Sequence, residues 1–112
     1  MRRNKEQGAS QQPMGPQIIL LSPQEGIKMT CPLDFDVRFE SSNGVAVDVN
    51  SLRVHVRKVW DFDITKYVKP HASSEGIRMT NATFPRGRHT ITLTIADHEG
   101  GVSSQTITVE IV

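Results

Sequence analysis

Four acidic residues in two short stretches have the chemistry a calcium ion uses. Asp61 and Asp63 flank Phe62, and Asp97 and Glu99 flank His98. Calcium takes roughly six to eight hard oxygen ligands, and loops at one end of a β-fold can converge to supply them. These four are therefore the calcium candidates. A plainer role competes at each position. Asp97 ends an apolar/Thr alternation and fits an Asx turn, its carboxylate accepting N–H groups of its own loop. Asp61 and Asp63 fit a solvated surface pair.

The other reactive side chains point away from catalysis. The four histidines, His55, His71, His89 and His98, lack the close spacing of a zinc site. His89 shares the parity of Ile91, which suits a partly buried ring hydrogen-bonded at a sheet rim. The paired serines Ser41-Ser42, Ser73-Ser74 and Ser103-Ser104 sit in loop-like sequence, with no Gly-x-Ser-x-Gly elbow and no glycine-rich phosphate loop. Cys31 is the single cysteine, so no intramolecular disulfide forms, and beside Pro32 it reads as a small semi-buried residue. The chain is read as non-enzymatic, with no cofactor.

Binding chemistry is better represented. Arg53, His55 and Arg57 alternate on one side of a strand, and Thr90, Thr92 and Thr94 do so on another, with Thr106 and Thr108 on a third. If those strands are neighbours, they present one flat, polar, mildly basic face, with Arg53, His55, Arg57, Thr92 and Thr108 as its centre. Such a face suits an acidic glycan or a protein partner. Trp60 and Tyr67 could stack on sugar rings, but the parity of Leu52, Val54 and Val56 places Trp60 inward, where one large ring can fill the space between sheets. Asn81-Ala82-Thr83 fits the N-glycosylation pattern.

The elements that must position these residues are strands. Ile91, Leu93 and Ile95 alternate with threonines, Asp97 to Gly101 supplies turn-formers, and Ile107, Val109 and Ile111 resume the period. This predicts a half-buried hairpin that closes the chain. Upstream, Leu33, Phe35, Val37 and Phe39 alternate with charges. Gln17 to Leu21 predicts an edge strand between prolines. Ile77 to Phe84 predicts another strand, with a parity slip near Asn81 that suits a bulge. The expected strands span 17–21, 33–40, 51–60, 77–84, 89–97 and 103–112, with a short piece near 45–49. Asp61 to Pro70 loses the period and reads as a partly buried crossover with one helical turn at Ile64 to Val68.

At 112 residues with 37% apolar content and a formal charge of +1, the composition suits one domain. Nucleic-acid binders usually show a clustered basic excess, which is missing here. No run is long and apolar enough for a membrane helix, so neither nucleic acid nor membrane insertion is expected. Residues 1–15 are polar, without period, and read as a disordered tail or linker. Met1 to Ser10 has no apolar stretch of the kind found in secretory signals.

Three stretches resemble a known family. Gly87-Arg88-His89 followed by the strand to Asp97, then Gly100-Gly101 and Ser103-Ser104, is similar to the closing hairpin of bacterial immunoglobulin-like domains. Ile18 to Pro23 with Gly26 resembles their opening strand, and Asp48 to Val54 the lead into their third. The likeness covers residues 16–112. It implies an all-β, immunoglobulin-like β-sandwich of about seven antiparallel strands. It further implies a non-catalytic structural or interaction module of a larger bacterial surface or secreted protein, extracellular or on the cell surface. Its partners would be neighbouring domains or another protein, with glycan as a further ligand class. Two other readings compete. One is an accessory ligand-binding domain, for glycan or calcium, attached to a carbohydrate-active enzyme or adhesin. The other is an intracellular assembly module that pairs through an edge strand.

Overall fold

The computed structural model describes residues 15–42, 44–57 and 60–112. The expectation of a disordered tail falls almost wholly on residues outside this range; Gly15 and Pro16, which lie inside it, are buried. The strands are β1 (Gln17–Ser22), β2 (Lys28–Met29), β3 (Leu33–Glu40), β4 (Val47–Arg57), β5 (Asp61–Asp63), β6 (Ala72–Ser73), β7 (Gly76–Ala82), β8 (Gly87–Asp97) and β9 (Val102–Ile111). They form a five-stranded sheet in the order β2-β9-β8-β4-β5 and a four-stranded sheet in the order β1-β3-β7-β6. The order of the second sheet and the β4-β8-β9 block match the two layers of a constant-type immunoglobulin sandwich. Here β2 and β5 extend the larger sheet at its edges.

Alternation explains the layers. Phe35, Val37 and Phe39 of β3 and Ile77 of β7 face Leu52 and Val54 of β4, Ile91, Leu93 and Ile95 of β8, and Ile107, Val109 and Ile111 of β9, all buried. Each such side chain removed from water contributes roughly 1.5–3 kcal/mol. The closing hairpin keeps one register from Val102↔Ala96 to Ile111↔Gly87, because any one-residue slip would turn this apolar row to solvent.

Three local features stand out from a plain run of strands, the third of them expected from the sequence. The pieces expected at 45–49 and 51–60 are one strand, β4, whose register against β8 shifts between Asp48 and Arg53. Ser51 holds the irregularity: its hydroxyl donates to the Asp48 carbonyl at 2.6 Å and accepts the Ala96 N–H at 2.7 Å. A side chain thus replaces the missing ladder bonds. The second feature is β2, which pairs parallel with β9 through Lys28↔Glu110 and Met29↔Ile111. Two residues carry too little periodicity to be read as a strand. Third, the slip near Asn81 is a bulge, since Leu33 pairs Ala82 while Phe35 pairs Met79. Asn81 has φ 55° there, a left-handed value that Asn tolerates better than most residues.

Trp60 requires a correction. Parity placed it in the core, but β4 ends at Arg57 and the chain turns back into β5, so Trp60 lies at the reversal, 71% exposed. The parity argument holds only while the strand runs straight. The space between the sheets is filled instead by the buried Phe35 and Phe39.

The crossover from β5 to the other sheet contains the expected helical turn, α1 (Thr65–Val68), followed by a 3-10 turn at Lys69–His71. Its partial burial is divided among residues: Val68 is buried and Ile64 half-buried, whereas Phe62 and Tyr67 are exposed. Thr65 pins the segment to β4, its hydroxyl accepting the Val54 N–H at 2.9 Å while Ile64 N–H donates to the Val54 carbonyl at 2.9 Å. No helix among the described residues is long and apolar enough to cross a membrane.

Candidate functional site

The period of β4 turns Arg53, His55 and Arg57 away from the core side chains Leu52 and Val54. Register then sets each beside a threonine of β8: Arg53↔Thr94, His55↔Thr92 and Arg57↔Thr90. Strand β9 continues the rows with Ser104, Thr106 and Thr108. The five residues expected at the centre of a polar face, Arg53, His55, Arg57, Thr92 and Thr108, thus share the outer surface of the five-stranded sheet. Hydroxyls bridge the strands, Thr92 Oγ1 to Thr106 Oγ1 at 3.1 Å and Thr94 Oγ1 to Ser104 Oγ at 3.3 Å.

Strand β5 adds two carboxylates to this face, Asp63 beside His55 and Asp61 beside Arg57. His55 Nδ1 lies 3.9 Å from Asp61 Oδ2, with both side chains well exposed. Asp63 accepts the Thr65 N–H at 2.9 Å. The Thr65 hydroxyl first, and then this N–H, hold its carboxyl below the usual value of 3.8. Nearby His55 and Arg53 act in the same direction, weakly. Arg53 is turned back on its own strand, donating to the Leu52 carbonyl at 2.7 Å. Sequence reading had not joined Asp61 and Asp63 to the face; the usable signal was their period-two spacing.

The calcium candidates divide into two groups. Asp61 pairs Arg57 at one end of β4, and Asp97 pairs Val47 at the other. A strand of that length holds the pairs about 30 Å apart. Asp97 is 6% exposed, and its Oδ1 accepts the N–H groups of Glu99 and Gly101, each at 2.9 Å. That is the Asx-type role expected of it. Glu99 itself is exposed. Among the described residues no three His, Cys, Asp or Glu side chains are grouped closely enough to hold a metal ion.

The remaining candidates are dispersed. His89 is 3% exposed, and its Nε2 lies 2.6 Å from the Pro85 carbonyl, as expected of a ring at the sheet rim. Half-buried Cys31 accepts the Phe84 N–H at its Sγ, 3.2 Å away. His98 is exposed on the β8–β9 loop, and its N–H donates to the Ala46 carbonyl at 3.1 Å. His71 ends the 3-10 turn beside a depression on the outer face of the four-stranded sheet. Sequence reading missed that depression; its only signal was the outward parity of Arg38 and Arg78.

No family model matches the sequence, and no curated protein matches it. Similar folds occur among solved structures. The endo-β-1,4-mannanase from Thermotoga petrophila matches 87% of this chain over 20% of its own, with TM-score 0.57 and 14% identity. An engineered protein matches 89% of this chain over 21% of its own, with TM-score 0.56 and 20% identity. CopC from Methylosinus trichosporium OB3b matches 85% of this chain over 93% of its own, with TM-score 0.52 and 13% identity. The chain thus spans about one fifth of the first two and nearly all of the third. At these identities the likeness is one of small β-sandwich fold.

Proposed function

We propose that this chain is a non-catalytic immunoglobulin-like module of a larger bacterial surface or secreted protein, which spaces its neighbours and offers them a polar sheet face. The observation that carries this reading is where the backbone enters and leaves the sandwich. Gly15 is wedged against Val102 and Ser103 at the start of β9, and its carbonyl accepts the Ser42 hydroxyl at 2.8 Å. Val112 follows the other end of β9, its N–H donating to the Met29 carbonyl at 2.9 Å. The length of β9 separates the two points by about 30 Å. Polypeptide on either side is therefore directed to opposite poles of a body measuring 49 × 27 × 23 Å. Among the described residues the buried polar side chains, His89 and Asp97, bond neighbouring backbone groups and so serve the frame. The groups free to recognise a partner lie on the outer faces.

The test is a fusion in which Val112 of one copy runs directly into Gly15 of a second, studied by small-angle X-ray scattering. The expected result is a rod whose largest dimension grows by roughly the long axis of one module, 49 Å. A folded-back pair scarcely longer than a single copy would overturn the spacing role.

A further inference from the structure

The outer face of the four-stranded sheet holds an open trough of about 460 Å³, within the size range of small-ligand sites. Its floor is made by a gap. Arg38 of β3 lies between Ile19 of β1 and Gly76 of β7, so neither cross-strand neighbour offers it a carboxylate. Gly76 cannot be replaced by a larger residue without strain: φ is +149°, and a Cβ would collide with the Val37 carbonyl oxygen. The missing side chain is thus built into the fold.

The gap is ringed by charge and hydrogen-bonding groups. Arg78 is the diagonal neighbour of Arg38, close enough for two long side chains to reach one ligand. Asp36 stands directly across from Arg78, yet among the described residues the close contacts between basic and acidic side chains are His55–Asp61 and Arg88–Glu110, and neither involves these two arginines. The Ser73 hydroxyl accepts the Glu75 N–H at 3.1 Å, which leaves its own proton free to donate. Glu75 and His71 stand on the rim, and Leu21, 47% exposed, adds an apolar wall.

We propose that this trough binds an acidic saccharide. Arg38 and Arg78 take the sugar carboxylate, Ser73, Glu75 and His71 take ring hydroxyls, and Leu21 packs against a C–H face. Guanidinium forks match carboxylates in geometry and charge. A plain anion would be repelled by Asp36 and Glu75, which also line the trough, whereas sugar hydroxyls donate to them. Leu21 has no role toward an ion but suits a ring. This site does not depend on the spacing role, whose scattering test is indifferent to ligands.

The experiment is an amide NMR titration of the full chain with trigalacturonate, alongside neutral trigalactose and a triglutamate peptide. Trigalacturonate is expected to shift the amides of Arg38, Gly76 and Arg78 with affinity of about 1 mM or tighter. Arg38→Gln and Arg78→Gln should each weaken it roughly tenfold, and Lys28→Gln on the other sheet should leave it unchanged. Both arginines are exposed, and the spectrum of each variant shows directly whether it folds. The proposal is overturned by an absence of shifts, by shifts centred on the other sheet, or by equal binding of trigalactose. Triglutamate binding as tightly would overturn it too, since the occupant would then be an acidic peptide.

Discussion

Asp97 and Gly101 close the β8–β9 loop on each other. The Asp97 N–H donates to the Gly101 carbonyl at 2.9 Å, and the Gly101 N–H donates back to Asp97 Oδ1 at 2.9 Å. The same Oδ1 also accepts the Glu99 N–H. Asp97→Ala strands both donors, one of them buried, and should lower unfolding stability by about 2–3 kcal/mol. Asp97→Asn keeps an oxygen in place and should cost clearly less. Denaturant unfolding of the two variants measures the difference, and equal losses would show that the acceptor is not what matters.

His89 must carry its proton on Nε2, because the Pro85 carbonyl 2.6 Å away can only accept. Nitrogen NMR of the imidazole is expected to show a protonated Nε2. His89→Ala also removes the ring packed near Phe84, with centroids 6.1 Å apart. That variant should lose about 2–3 kcal/mol.

Trp60 and Leu52 make a paired prediction. Leu52 is fully buried between the sheets, and Leu52→Ala should cost about 2–5 kcal/mol. Trp60→Ala should change stability by no more than about 0.5 kcal/mol. In the native protein, tryptophan emission should resemble that of the free amino acid and be readily quenched by iodide. A blue-shifted, protected emission would return Trp60 to the core.

Asp63 links folding to acid. Its folded-state carboxyl titrates below 3.8, held there by Thr65. A lowered value means the contribution is present above the unfolded pKa and is lost as pH falls through the folded one. The stability gap between the native chain and Asp63→Asn should be constant at neutral pH and shrink below about pH 4. A gap that stayed constant down to pH 2 would assign it to another cause.

Much of this architecture could be read from local pattern. The alternations at 33–39, 91–95 and 107–111 named most of the core, the loop chemistry of Asp97 followed from its place at a strand end, and the parity of His89 predicted its burial. What escaped depended on distant partners. Trp60 left the core because β4 reverses to pair with β5, a choice that the residues before it do not encode. Asp61 and Asp63 joined the polar face only through register with Arg57 and His55. The trough around Gly76 exists because β7 presses on Val37, and a lone glycine in a strand does not reveal which backbone approaches it.

The parallel pairing of β2 with β9 has a mechanical consequence. Tension between Gly15 and Val112 pulls β9 one way and the β1–β2 segment the other. The Lys28↔Glu110 and Met29↔Ile111 pairings, with the Val112-to-Met29 hydrogen bond, lie across that line of force. They are sheared together rather than peeled one at a time. Two residues too short to show a period thus become a latch that stretching must shear.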